Sequence, residues 1–242
     1  MQQNYPQKNL LSTVLNNAFS YWRVTLPYQL ILSLLTFCIL FSVYVFSGNY
    51  YGVLPKMMAL VQENMGNIPA LQKELQVLAQ DPNYVNFMYV ILATKVFLFP
   101  LEVGLFKIYR KIDLKEKLSI SDLFSGYSGI NFFMYISYFF FWQFIFTYTA
   151  PTYILGFLWV LITLLVTPFM FFENKTLFTA IKLNFKALKY HFPIIFICFI
   201  VALLFKYAGF MVFFIGGLFT YPFMIAMIYA LYQSISNVEV KG

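Results

Sequence analysis

The segment LPYQLILSLLTFCILFSVYVF, residues 26–46, carries no charged side chain from end to end. As a helix it reaches across a bilayer, because each residue rises about 1.5 Å and the hydrocarbon core is about 30 Å thick. Working outward from it, five more apolar stretches follow, at 84–108, 129–146, 152–172, 192–207 and 209–235, and together they take up most of the 242 residues. Composition agrees: 61% of residues are hydrophobic, 10% are charged and the mean hydropathy is +0.74, values outside the range of soluble domains. The expected fold class is therefore all-α. It is a polytopic membrane helix bundle of six transmembrane helices forming three hairpins, with amphipathic interfacial helices on the cytoplasmic side and a single domain covering 1–242. Ahead of the first span, Leu11, Val14, Leu15, Ala18, Phe19 and Trp22 recur at helical spacing, which predicts a short interfacial helix. No small-residue cleavage site follows a short apolar core, so 26–46 reads as a retained span and not a removed signal.

The basic residues give the orientation. Lys8 and Arg23 precede the first span, Lys107, Arg110, Lys111, Lys115 and Lys117 follow the second, and Lys175, Lys182, Lys186 and Lys189 follow the fourth. The alternate gaps hold only Lys56, Lys73 and Lys206, so the positive-inside rule places both termini in the cytoplasm. Tyr44, Tyr50, Tyr51, Tyr84, Tyr148 and Tyr153 fall where an outer aromatic belt belongs. A net charge of +7 raises the question of nucleic acid, but the charge sits beside membrane segments and builds no water-exposed basic face, so no nucleic-acid partner is expected. Cys38 and Cys198 lie inside apolar stretches with no metal or redox spacing, and no disulfide is expected between them.

A weak repeat runs through the chain: an amphipathic entry segment, an outward span, and an inward span with a proline in its inner half. The prolines are Pro100, Pro168 and Pro222. Each removes a backbone donor and loosens the helix one turn earlier. Such kinks either surround a cavity or help three hairpins pack, and the sequence leaves both open.

From Pro100 onward the features stand in a recognisable order. Pro100 and Gly104 are followed by the basic run 107–117 and then Ser121-Asp122-Leu123-Phe124. Later come Pro168, Glu173, Asn174, Ala180, Ala187, Gly209, Gly216, Gly217, Pro222 and Tyr229. This order resembles a group of uncharacterised bacterial six-helix integral membrane proteins, related to the membrane domain appended to some glycerophosphodiester phosphodiesterases. The resemblance covers about 140 residues on the C-terminal side. It implies a bacterial cytoplasmic-membrane protein of the expected architecture and names no reaction. The long outer loop 48–83 lies outside it.

Catalytic chemistry finds little material. His191 is the single histidine, no carboxylate cluster replaces a histidine-rich metal site, and neither a glycine-rich phosphate loop nor a Ser-His-Asp set is present. No enzyme, metal or cofactor is expected. The candidate intramembrane polar site is Lys95 with Glu102, seven residues apart and so nearly on one face of the second span. Charges at such depth are costly and usually face a bundle interior or a wet cavity, so Lys95 is expected to turn inward. The alternative has Lys95 reaching the surface while Glu102 meets Lys107 or Arg110. Between the fourth and fifth spans, Lys175, Lys182, Lys186 and Lys189 share a narrow arc opposite Leu177, Ala180, Ile181, Phe185 and Leu188. That is the pattern of an interfacial helix with its apolar face in lipid and its lysines at anionic headgroups. In the outer loop a helix is expected over 69–80, with Leu71, Leu75 and Leu78 on one side, either docked on the bundle or offered to a protein partner. The functional expectation is a non-catalytic, accessory or lipid-associated component of the cell envelope. The alternative is a small-molecule or lipid transporter with a polar cavity at Lys95.

Overall fold

The computed structural model describes residues 7–129, 131–211 and 215–239, and every regular element among them is helical. The first half holds α1 (Gln7–Val24), α2 (Leu26–Tyr50), α3 (Val53–Glu63), α4 (Ile68–Leu78) and α5 (Pro82–Asp113). A 3-10 helix, Ile120–Tyr127, leads into α6 (Asn131–Thr149), and a short 3-10 turn, Ala150–Thr152, leads into α7 (Ile154–Thr163) and α8 (Val166–Glu173). The chain ends with α9 (Leu177–Met211), α10 (Ile215–Thr220) and α11 (Phe223–Glu239). Five segments are long and apolar enough to cross a membrane: Leu26–Tyr50, Pro82–Asp113, Ile154–Glu173, Leu177–Met211 and Ile215–Ser236. A sixth is added if the pair Ile120–Tyr127 and Asn131–Thr152, bent by 74°, counts as one span. The chain is a multi-pass helical membrane protein.

The chain divides into two compact units: residues 1–34 with 99–242, and residues 35–98. In the smaller unit, α4 packs on a helix that periodicity alone did not reveal, α3. Leu78 is buried, and Leu71 and Leu75 are partly so, which gives the leucine stripe a partner within the unit. Asn67 begins α4 by accepting the Ala70 N–H at 3.2 Å, satisfying one of the donors a helix start leaves open. The Lys56 ammonium lies 2.5 Å from the Asp81 carboxylate, which also accepts the Asn83 N–H at 2.8 Å. The Lys56 hydrogen bond, joined by that backbone donor, holds the Asp81 carboxyl below the usual carboxylate range.

The larger unit is organised by one close crossing. A Cβ on Gly104 would collide with the Leu123 carbonyl, and a Cβ on Gly126 would collide with the Pro100 carbonyl. Two backbones therefore touch directly, each notched by a glycine. Positions 100, 104, 107 and 111 step along one face of α5. Lys107 and Lys111 sit 3.1 Å and 2.8 Å from the two oxygens of Asp122, itself almost wholly buried and accepting the Ser119 N–H at 3.0 Å. The proline, glycine, basic run and Asp-Leu-Phe quoted from the sequence thus form one piece of structure.

Several elements differ from expectation. The predicted interfacial helix before the first span is α1. It packs on α9 and α11 with Val14 and Ala18 fully buried, so part of its apolar face is covered by protein. Its hydrogen-bond ladder continues into α2, with Thr25 N–H to Tyr21 O and Gln29 N–H to Thr25 O both at 3.0 Å. The fifth span does not stop at Ala208-Gly209 but runs to Met211, and residues 212–214 lie outside the described residues. At its other end α9 absorbs the lysine-rich segment, with a kink at His191 (φ −127°, ψ 23°) just before Pro193. The fourth and sixth spans are each broken, between α7 and α8 and between α10 and α11, whereas α5 runs through Pro100 as one helix.

Candidate functional site

The two spans that break do so with a side chain inserted from elsewhere. In an intact helix the Leu165 N–H would bond the Leu161 carbonyl. Here Asn184 of α9 stands between them: its Oδ1 accepts the Leu165 N–H at 2.9 Å and its Nδ2 donates to the Leu161 carbonyl at 3.2 Å. Asn184 is fully buried, flanked one turn either way by buried Ala180 and Ala187. The second break, at Tyr221-Pro222, leaves the Phe219 carbonyl without its usual partner, and the Trp22 indole of α1 donates to it at 2.8 Å. Both breaks are thus closed by amide or indole groups, as backbone in hydrocarbon requires.

Three carboxylates of the larger unit, Glu102, Asp113 and Glu173, accept from tyrosines. Glu102, Tyr109 and Asp113 lie within about 40° of arc on α5. Asp113 accepts the Tyr21 hydroxyl at 2.5 Å and also the Tyr229 hydroxyl, which in turn accepts from Gln233 at 2.8 Å. Burial, reinforced by the Asp113 bond, keeps the Tyr21 phenol protonated far above its ordinary range. The rings of Tyr21, Tyr109 and Tyr229 meet at 5.1–5.6 Å, a small aromatic cluster under the carboxylate. Gln29 donates to Thr25 at 2.6 Å and to the Tyr109 hydroxyl at 3.3 Å. Glu173 accepts from Tyr232 at 3.3 Å, with the Lys175 ammonium 3.9 Å away.

Glu102 belongs to this pattern and not to a pair with Lys95. Its Oε1 accepts the Tyr221 hydroxyl at 2.5 Å, and the Lys206 ammonium lies 4.6 Å from the centroid of the Tyr221 ring. Lys95 falls in the other compact unit and is exposed. Phe87 and Leu98 mark the buried face of that stretch of α5 and Lys95 lies off it; an ammonium with three donors to satisfy costs less facing outward than in a packed core. Lys107, a partner considered for Glu102, is engaged with Asp122.

On the lysine-rich segment of α9, Lys182, Lys186 and Lys189 are exposed and Lys175 is partly so. Phe178 and Phe185, at 75% and 50% exposure, project on the same outer side, while the strip Ala180, Asn184 and Ala187 packs inward. The broad apolar side foreseen in lipid is therefore split. One strip faces protein, and the aromatic strip beside the lysines remains open. Pro168 and Pro222 sit at the two breaks, and Pro100 lies under the Gly126 crossing. Cys38 and Cys198 are both free thiols.

Sequence reasoning passed over Asn184, Trp22, Lys206 and the tyrosines of α11. One signal was available: Asn184 is a polar residue in the middle of an apolar arc, a place that needs a buried partner. Comparisons with family models, with curated proteins and with solved structures return no match.

Proposed function

We propose that this chain is a non-catalytic bacterial cytoplasmic-membrane protein, an accessory, lipid-associated component of the cell envelope that engages anionic headgroups through residues 175–189. In this reading the six spans form three hairpins, both termini are cytoplasmic, and the chain belongs with the bacterial six-helix group that its motifs resemble. One observation carries it: Lys182, Lys186 and Lys189 are exposed beside exposed Phe178 and Phe185, on a segment whose opposite strip is anchored by buried Asn184. In this reading the aromatic rings lie at the acyl boundary and the ammonium groups at the headgroups, each worth about 1 kcal/mol on an anionic surface. The anchor fixes the height and roll of the helix, so the lysines need no further ordering on binding. On the opposite side of the membrane, the segment 48–83, with Met65 and Ile68 exposed, is the surface proposed for a protein partner.

The test is lipid retention. Purified from its membrane in mild detergent, the protein is expected to keep anionic lipids above their bulk proportion, as read by mass spectrometry. The Lys182→Gln, Lys186→Gln, Lys189→Gln variant is expected to lose that enrichment while remaining folded. A lipid profile matching the bulk membrane in both proteins refutes the reading.

A further inference from the structure

We propose that Glu102 is an intramembrane proton-binding site, hydrogen-bonded to the Tyr221 hydroxyl at the break between α10 and α11, with the Lys206 ammonium over the Tyr221 ring. Position comes first. Glu102 lies three helical turns, roughly 16 Å, along α5 from Asp113, and so well inside the span Pro82–Asp113. Tyr221 lies at a point where Pro222 brings no N–H and the helix stops and restarts. Interrupted helices at such depth are found where polar groups or a wet cavity can receive them.

The second argument is the kind of partner. Asp122 shows how this protein fixes a permanent carboxylate: two ammonium groups at 2.8 Å and 3.1 Å and a backbone N–H at 3.0 Å. Among the described residues Glu102 has no such ion pair. The groups acting on it are Tyr221, in direct contact, and Lys206, whose ammonium lies 4.6 Å from the centroid of the Tyr221 ring. Farther along the same face of α5 the next titratable groups are Tyr109 and Asp113, which have their own partners.

A phenol both donates and accepts, so one oxygen–oxygen contact serves two states of the acid. With Glu102 ionised, Tyr221 donates to it and Lys206 supplies the balancing charge one ring away. On proton uptake, a hydronium ion gives its proton to a Glu102 oxygen and becomes water. The new carboxyl O–H then donates to the Tyr221 oxygen, whose own proton turns away. No bond other than O–H changes. Lys206 lies about 7 Å of helix from the end of α9, so the site stands within about one and a half turns of the end of that helix.

Dicyclohexylcarbodiimide tests this on the intact protein in liposomes. The reagent partitions into bilayers and reacts with a protonated carboxyl. The acid O–H adds across a C=N bond and the adduct rearranges to a stable acylurea, with nothing lost. Peptide mass spectrometry is expected to find Glu102 modified, increasingly so as pH falls from about 8 to about 5. Tyr221→Phe removes a donor to the charged form and Lys206→Met removes its counter-charge, so each is expected to raise modification at neutral pH, by about tenfold in apparent proton affinity for a charge-assisted bond. No modification of wild-type Glu102 across that range, or modification unchanged by both substitutions, overturns the proposal. Infrared difference spectra give an independent reading. Acidification is expected to give the wild type a protonated-carboxyl band that is missing from the otherwise matching spectrum of Glu102→Gln, and identical carboxyl bands in the two proteins likewise overturn the proposal.

Discussion

Replacing Asn184 with alanine removes the amide that holds apart the Leu165 N–H and the Leu161 carbonyl. Two outcomes are open to the chain. The helical bond can re-form, straightening α7 into α8, or the break can persist with the Leu165 N–H unsatisfied and the Leu161 carbonyl left with only the Leu164 N–H, at 3.3 Å. Leu164, Leu165 and Val166 are all buried, so straightening would drag three packed side chains from their sites, and the break is expected to persist. Hydrogen bonds inside membrane proteins contribute about 0.6 kcal/mol on average and up to about 1.7 kcal/mol, so two contribute about 1–3 kcal/mol. The cavity left by the amide adds about 1 kcal/mol. Asn184→Ala is therefore expected to lower unfolding stability by about 3 kcal/mol, measured by reversible denaturation in mixed micelles. Spin-label distances between α7 and α8 should stay unchanged. A loss below about 0.5 kcal/mol with unchanged distances would show that the amide does not hold the break, and refutes this reasoning. A large change in the distances would show the ladder healing, and equally refutes the claim that surrounding packing keeps it open.

Three further outcomes follow from the geometry. Gly104→Ala drives a methyl group into the Leu123 carbonyl and is expected to cost at least the 1–3 kcal/mol, roughly, of an overpacked core, whereas the same change at Gly129, which has open space but a left-handed backbone (φ 68°), is expected to cost only about 1 kcal/mol in the same denaturation assay. Asp81 is held below the usual carboxylate range, so its bond to Lys56 contributes above the unfolded value of about 3.9 and is lost as pH falls through the folded value; protection of the amides at the start of α5, taken relative to their intrinsic exchange, is expected to fall below about pH 4 in wild type and to fall less in Lys56→Met, where only the Asn83 N–H bond to Asp81 remains to be lost. Single cysteines on a background free of Cys38 and Cys198 are expected to be labelled from outside intact cells at Gln72 and protected at Lys115 and Lys186; equal labelling of all three removes the proposed orientation.

The spans were legible because a charge-free run of about 20 residues has few alternatives to a membrane helix. Their interruptions were not, although the prolines were in plain view. Pro100, Pro168 and Pro222 carry the same local chemistry, yet α5 passes through the first unbroken while the other two mark breaks. What decides is a partner distant in sequence: Asn184 reaches back some 20 residues to the first break, and Trp22 reaches the second from the opposite end of the chain. The surroundings of Lys95 were hidden for a related reason. Its seven-residue spacing from Glu102 does place both near one helical face, but the two belong to different compact units, and a shared face says nothing about a shared environment.

The pairing of acids with phenols has a physical source that could be sought in other sequences of this composition. The chain holds 16 basic residues against 9 acidic ones, so ammonium partners for Glu102 and Asp113 were in ample supply, yet both carboxylates accept from tyrosine. Bringing an ammonium to a carboxylate inside hydrocarbon desolvates two charges, and their attraction often fails to recover that cost. A phenol supplies the hydrogen bond while desolvating only one charge, and its ring replaces lipid or side-chain contacts at no loss. Where an ion pair does form, at Asp122, the lysines keep 21% and 44% of their side-chain surface exposed, so their ammonium groups are not withdrawn from a polar medium. The informative pattern is therefore an acid on one span and a tyrosine at matching height on another. Glu102 and Asp113 on α5, set against Tyr221 and Tyr229 at α11, are that pattern, with about three turns between the acids and about two between the tyrosines. The shorter spacing on the tyrosine side is accommodated at the Tyr221-Pro222 break, which ties the interruption of the last span to the height of the acid it serves.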